Sequence, residues 1–170
     1  MKILITYASR TGTTAAVAGR VGKVLSGLGE TVTVTPMNRV TAIDGFDAVV
    51  AASPVQAGTW LPEAMEFIRR NQILLQEKPF AIFTLSVTPE NHQGVEYRMA
   101  IMQWTAPVRA LVHPVSEAFF ASGSTPKRDA KPGERSRFKV SLLLGFLKER
   151  DNRQLDLVEP WAVKLHERLM

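Results

Sequence analysis

Four hydroxyl side chains and a glycine are concentrated in one short stretch near the start of the chain. This stretch, Ser9–Thr14, reads S-R-T-G-T-T and leads directly into a segment whose apolar residues have helical spacing. The first turn of a helix has free backbone N–H groups and the positive end of the helix dipole, so it attracts anions. Hydroxyls add neutral donors, and Gly12 lets the backbone turn tightly. The stretch therefore predicts a phosphate cradle. The alternative is a set of ordinary helix caps, which a single such residue would suggest.

Other phosphate-binding motifs are missing from the sequence. There is no G-x-x-x-x-G-K-[ST] for a P-loop nucleotidase and no G-x-G-x-x-G for a dinucleotide. The second predicted strand also ends without the acidic residue that would hold an adenosine ribose. These absences argue against nucleoside triphosphate hydrolysis and against NAD binding.

Five apolar runs separated by helical patterns predict the elements that position this cradle. The strands are expected at 2–8, 30–35, 46–52, 78–86 and 114–122. The helices are expected at 12–28, from Pro62 onward, at 95–106 before Pro107, and at 161–169. Continuous apolar strands that alternate with helices predict a parallel sheet covered on both faces, a three-layer α/β/α fold. We expect one domain over residues 1–170, with strand order 2-1-3-4-5 and an insertion before the last helix.

In such a sheet, ligands bind outside the carboxyl ends of the strands, where the strand order reverses. The cradle follows the first strand, and two further loops follow the third and fourth strands. At this position S-R-T-G-T-T resembles the FMN-phosphate loop of the flavodoxin family, [ST]-x-T-G-x-T. The resemblance implies a flavodoxin-like fold that binds FMN. It implies as phosphate ligands Ser9, Arg10, Thr11, Gly12, Thr13 and Thr14.

The same resemblance implies that the other two loops contact the flavin ring. The loop after the third strand comprises Ser53, Pro54, Val55, Gln56, Ala57, Gly58, Thr59 and Trp60. The loop after the fourth strand begins with Ser86, Val87 and Thr88. Trp60 is the candidate for stacking on the ring, because aromatic side chains stack on flat π systems. The alternative is that Trp60 packs, half-buried, on the helix that follows Pro62.

Within the family, the chain is similar to the menaquinone-dependent protoporphyrinogen IX dehydrogenase branch. The similarity rests on A-S-P-V-Q-A-G-T-W at 52–60, F-T-L-S at 83–86, the basic-then-apolar segment 126–150 and Trp161. It implies an oxidoreductase of heme biosynthesis that takes electrons from an organic donor and passes them to a quinone. The alternative is an electron carrier between protein partners, with the same flavin site.

The positive charge is local. The formal net charge is +5, and the stretch 126–139 alone holds Lys127, Arg128, Lys131, Arg135, Arg137 and Lys139. Such a cluster is a docking patch or a solvated loop and not a whole-domain nucleic-acid footprint, so no nucleic-acid partner is expected. Three roles are open for 126–150: contact with an anionic membrane surface, binding of an acidic substrate, and simple packing on the domain.

The composition excludes several kinds of catalytic and metal site. The chain has no Cys, which excludes a thiol nucleophile and a cluster held by thiolates, and its three His residues are dispersed. No metal site and no catalytic side chain are therefore expected. The early apolar run is too short for a signal peptide, and no stretch approaches the ~18 apolar residues of a membrane span. A cytoplasmic protein is expected, with peripheral contact to the inner face of the membrane as a hypothesis.

Overall fold

A computed structural model describes residues 1–87, 95–122 and 152–170. Its elements in chain order are β1 (Lys2–Tyr7), α1 (Thr13–Gly27), β2 (Thr31–Pro36), a 3-10 turn (Met37–Arg39), β3 (Ala48–Gln56), β4 (Thr59–Trp60), α2 (Pro62–Arg70), α3 (Gln72–Gln76), β5 (Phe80–Val87), α4 (Val95–Leu111), β6 (Ser116–Ser122) and α5 (Asn152–Leu169). Two sequence predictions, Thr88 as a ring contact and the role of segment 126–150, lie outside the described residues.

The sheet has the order β2-β1-β3-β5-β6, and neighbouring strands in this order are parallel. This confirms the predicted α/β fold and the order 2-1-3-4-5, since β5 and β6 are the fourth and fifth of the predicted strands. The short β4 was not predicted. It pairs antiparallel with the end of β3 and lies off the main path.

Two apolar layers cover the two faces of the sheet, because successive residues of a strand point to opposite sides. One layer packs the sheet against α1 and α5, with members such as Ile5, Val50, Phe83, Val21 and Ala162. The other packs it against α2, α3 and α4, with members such as Leu4, Val49, Ile82, Phe67 and Val108. Each fully buried Val, Leu, Ile or Phe side chain stabilises the fold by about 1.5–3 kcal/mol. The sheet is thereby a rigid base for the loops at its carboxyl edge.

The helix expected to stop before Pro107 continues through that residue to Leu111, so this boundary prediction is wrong. An internal proline removes a helical hydrogen bond and costs about 3 kcal/mol. Tertiary contacts outweigh this cost, because Val108 and Val112 are buried. In addition, Arg109 donates to both carboxylate oxygens of Glu117 on β6, with distances of 3.1 and 2.9 Å.

The last helix was expected from Trp161, but α5 begins at Asn152 and includes Pro160. Trp161 packs edge-on against Phe83 and Phe120, with ring centroids 5.9 and 5.7 Å away. The packing of this ring anchors α5 to the sheet on the C-terminal side of the proline. Among the helices that the structure describes, none is both long enough and apolar enough to cross a membrane.

Candidate functional site

The predicted phosphate cradle lies at the carboxyl edge of the sheet, between the end of β1 and the start of α1. The backbone N–H of Ala8 donates to the carbonyl of Ala52, at 2.9 Å, so the loop starts beside β3. From β1 the chain crosses to β2 on one side and later returns to β3 on the other. The loop therefore occupies the switch point of the sheet, where doubly wound folds bind their ligands.

The start of α1 is well suited to an anion. Gly12 precedes the helix with a φ of +88°, a conformation that glycine adopts without strain. No side chain caps the helix, and its first turn holds no acidic residue. A Cβ atom built on Gly12 would meet nothing within 4 Å, so the space beside this residue is open. The first turn thus has no capping side chain and no acidic residue of its own, which favours an anion such as a phosphate group.

The hydroxyls of the loop are bonded to the loop itself. Ser9 Oγ accepts the Gly12 N–H at 3.0 Å, and the Thr11 and Thr13 hydroxyls lie 3.1 Å apart in a hydrogen bond. Thr14 is buried on the inner side of α1. The hydroxyls of Ser9, Thr11 and Thr13 therefore hold the loop in shape, and each retains capacity for a second hydrogen bond with a ligand. Their role as phosphate ligands stays a prediction.

Arg10 makes a bond that the sequence did not suggest. Its guanidinium donates to both carboxylate oxygens of Glu63 in the first turn of α2, with Nη2 3.0 Å from Oε2. The hydrogen bond raises the pKa of Arg10 and lowers the pKa of Glu63. The structure thus pairs the Arg10 side chain with a carboxylate of α2. The sequence had predicted that this side chain binds the phosphate.

The predicted ring loop 53–60 is a strand end followed by a tight β-hairpin. Val55 pairs with Trp60 and Gln56 pairs with Thr59. The two turn residues, Ala57 and Gly58, have φ values of 51° and 75°. Positive φ at both positions is the conformation of a type I′ turn, which matches the twist of a two-residue hairpin. The exposed part of the loop is therefore short, from Gln56 to Thr59.

Trp60 does not offer a face for stacking. Its side chain is only 1% exposed, and its indole N–H donates to the Thr84 hydroxyl at 2.9 Å. The prediction that Trp60 stacks on a flavin ring is wrong, because the pairing of β4 with β3 turns the indole into the core. The alternative reading, packing on the helix after Pro62, is closer, although the burial is complete and not partial.

Ser53 also points inward. It is fully buried, accepts the Leu61 N–H at 3.1 Å and donates to the Pro54 carbonyl at 2.9 Å. Ser86 is buried as well. At these positions any flavin contact would come from the backbone, and the Ser53 side chain fixes the hairpin. The ring-contact assignments of 53–59, Ser86 and Val87 stay predictions.

Trp104 is a candidate site residue that sequence reasoning missed. It lies half-buried on α4, and a Cβ built at Gly58 would be 3.7 Å from its Nε1 atom. The tip of the hairpin therefore rests against this indole. The sequence places Trp104 in a helix but carries no signal for the rotation of that helix relative to the hairpin.

His166 and Glu30 form a pair that lies away from the cradle. His166 Nε2 lies 2.7 Å from Glu30 Oε1, next to the starts of β1 and β2 and so at the opposite edge of the sheet. Within the described ranges, no three His, Cys, Asp or Glu residues are placed to hold a metal ion. The anion-attracting feature of the carboxyl edge is thus the uncapped start of α1.

Comparison with known proteins agrees with this geometry. The model of the Flavodoxin domain family matches residues 4–139, which is well over half of the chain. The chain belongs to the flavodoxin domain family. Because flavodoxin domains bind FMN and the α1 cradle fits its phosphate, family membership indicates FMN as the cofactor.

Solved structures show the same fold for this flavodoxin-domain protein. Oxidised Flavodoxin 2 from Bacillus cereus is 20% identical, with a TM-score of 0.62, and a point mutant of the flavodoxin from Pseudomonas aeruginosa is 16% identical, with a TM-score of 0.61. Each comparison covers 99% of both chains. The flavodiiron protein of Giardia intestinalis is 17% identical with a TM-score of 0.57, and the match covers 99% of this chain and 36% of that one. A search of curated protein sequences finds no significant match.

Proposed function

We propose that this protein is an FMN-dependent oxidoreductase that takes electrons from protoporphyrinogen IX, or a similar organic donor, and passes them to a quinone. FMN, when bound, supplies the electron-accepting and electron-donating chemistry. The residues of this chain bind the cofactor and orient it. The first turn of α1 and the loop 9–14 would hold the phosphate, and the backbone around the 56–59 turn would border the ring.

The uncapped start of α1 carries the proposal. It combines open space at Gly12, free first-turn N–H groups and no acidic residue, at the switch point of the sheet. The described side chains do not assemble a nucleophile with a base, or a pair of carboxylates, at this edge. Redox chemistry on a bound cofactor is therefore the activity that the site supports best.

Two features support the assignment of donor and acceptor. The loop 52–60 resembles that of the protoporphyrinogen IX dehydrogenase branch, as described above. The net charge of +5 suits a donor that carries carboxylates, because opposite charges raise the rate of encounter. A cytoplasmic location with peripheral membrane contact through the basic segment 126–150 would bring the flavin close to a lipid quinone, and this contact is part of the proposal.

A second candidate function is that of an electron carrier between proteins. It is favoured by the match to whole flavodoxins from end to end, at 99% coverage of both chains. The positive charge would then suit an acidic protein partner.

Anaerobic turnover assays separate the two functions. The FMN-loaded protein is mixed with protoporphyrinogen IX, with and without a soluble menaquinone analogue, and porphyrin fluorescence is followed. The dehydrogenase proposal expects porphyrin to form at a rate set by the quinone concentration. The carrier alternative expects no quinone-dependent porphyrin formation, and reduction of the bound flavin by a flavodoxin reductase in two separate one-electron steps.

A further inference from the structure

We infer that Glu63 sets how strongly this site prefers a phosphorylated flavin: it holds the Arg10 guanidinium in the free protein and gives it up to the phosphate on binding. The inference rests on the proposed placement of the phosphate at residues 9–14. In this account Arg10 is a ligand with two alternative partners, and Glu63 is the residue that controls its availability.

The geometry of the pair is bidentate and directional. Both terminal nitrogens of Arg10 donate to the two carboxylate oxygens of Glu63, a fork-to-fork arrangement. The bond joins the loop after β1, which contains Arg10, to the first turn of α2, which contains Glu63 and follows the hairpin. Such a pair fixes the guanidinium in one place, although Arg10 is otherwise a long and flexible side chain.

The exposure of the pair argues that it does not serve mainly to stabilise the fold. The Arg10 and Glu63 side chains are 52% and 38% exposed, so water screens their attraction. Ion pairs of this kind contribute little to the free energy of unfolding. The partners can therefore separate at small cost, which a residue that exchanges partners requires.

The charges around the cradle give the pair its effect on binding. Arg10 is the one charged side chain in the sequence 9–14, and the first turn of α1 contains no acidic residue. While Glu63 holds Arg10, the local side-chain charge sums to zero, and a phosphate is met by neutral donors alone. Once the phosphate takes Arg10, a charge-assisted bond is added. Riboflavin, which has no phosphate, cannot compete for Arg10 and gains nothing from its release.

Substitution of Glu63 tests this directly. Kd values for FMN and for riboflavin are measured by quenching of flavin fluorescence in the wild type, Glu63→Gln and Glu66→Gln. Glu66 is the matched control, because it is an exposed carboxylate one turn further along the same helix. Glu63→Gln is expected to tighten FMN binding by about threefold, the size of an exposed ion pair, with riboflavin unchanged. Glu66→Gln is expected to leave the ratio of the two Kd values near that of the wild type.

Arg10→Gln, alone and combined with Glu63→Gln, completes a double-mutant cycle for the pair. Arg10→Gln is expected to weaken FMN binding and leave riboflavin unchanged, and Glu63→Gln in that background is expected to have no more effect than Glu66→Gln. The inference is overturned if Glu63→Gln leaves the FMN-to-riboflavin ratio unchanged, lowers the preference for FMN, or shifts both ligands equally. If the wild type prefers FMN but substitution of Glu63 does not change that preference, this inference alone is wrong. If the wild type binds no FMN, the proposed function and this inference are both wrong.

Discussion

The indole N–H of Trp60 donates to the hydroxyl of Thr84 at 2.9 Å, inside the apolar layer beneath α2 and α4. This bond joins the hairpin that follows β3 to the middle of the neighbouring strand β5. Trp60 is 1% exposed and Thr84 is fully buried, so neither group has water as an alternative partner. The hairpin is therefore a fixed extension of the sheet, and the 56–59 turn has a defined position at the carboxyl edge.

Thr84→Val removes the acceptor of this bond at nearly constant volume. It leaves the Trp60 N–H buried and unpaired, which is expected to lower the free energy of unfolding by about 1–3 kcal/mol. Urea denaturation followed by Trp fluorescence measures the change. Thr33→Val on the exposed side of β2 is the control and is expected to stay within about 0.5 kcal/mol of the wild type. Equal stability of the two variants would contradict the assigned bond.

Gly22 is expected to be intolerant of a side chain. A Cβ built there would lie 2.7 Å from the Val34 side chain, so either that side chain or α1 would have to shift. Gly22→Ala is therefore expected to destabilise the fold, by about 1–3 kcal/mol. The control is Gly19→Ala in the same helix, where a Cβ meets nothing within 4 Å. It is expected to raise stability by up to about 1 kcal/mol, because alanine favours the helix. Changes of the same sign at the two positions would refute the close packing of α1 on β2.

The charge of Glu30 makes the stability of the fold depend on pH in the acidic range. Hydrogen bonds from the Met1 ammonium group and then from His166 lower the pKa of its carboxyl group. Because the folded pKa lies below the unfolded value, the carboxylate stabilises the protein fully above the unfolded pKa, about 4.3. That stabilisation is lost as the pH falls through the folded pKa. Glu30→Gln is therefore expected to be less stable than the wild type at pH 7.

The difference in stability between the wild type and Glu30→Gln is expected to narrow as the pH falls below about 4. Urea midpoints from pH 7 to pH 3 measure it. Glu77→Gln, which replaces an exposed carboxylate, is the control. A difference between the wild type and Glu30→Gln that is constant with pH would show that Glu30 acts through packing and not through its charge.

The sequence predicted the features that depend on long, regular patterns. Continuous apolar runs such as 46–52 identified the parallel strands, and S-R-T-G-T-T after the first strand identified the family. The orientation of Trp60 was not predictable, because it depends on β4, a two-residue strand with no period to detect. The end of α4 was mispredicted at Pro107, because the packing of Val108 and the Arg109–Glu117 bond are tertiary and outweigh a local rule. The Arg10–Glu63 pair likewise joins residues 53 positions apart.

Thr11→Val tests the hydroxyl part of the cradle. The Thr11 hydroxyl is bonded to the Thr13 hydroxyl at 3.1 Å, at the start of α1, and is proposed to donate to the phosphate. Its loss is expected to weaken FMN binding about tenfold, the size of one hydrogen bond to a charged group. Riboflavin binding by Thr11→Val is expected to stay unchanged. The control Thr31→Val, at the far end of the sheet, is expected to bind FMN as the wild type does. Normal FMN affinity in Thr11→Val would remove the basis for this assignment.

The visible spectrum of the purified protein tests the central claim most directly. The protein is mixed with FMN, passed through gel filtration and scanned. If the protein binds FMN, flavin absorption at about 370 and 450 nm elutes with the protein. A colourless protein peak, with all added FMN eluting later as free cofactor, would contradict it.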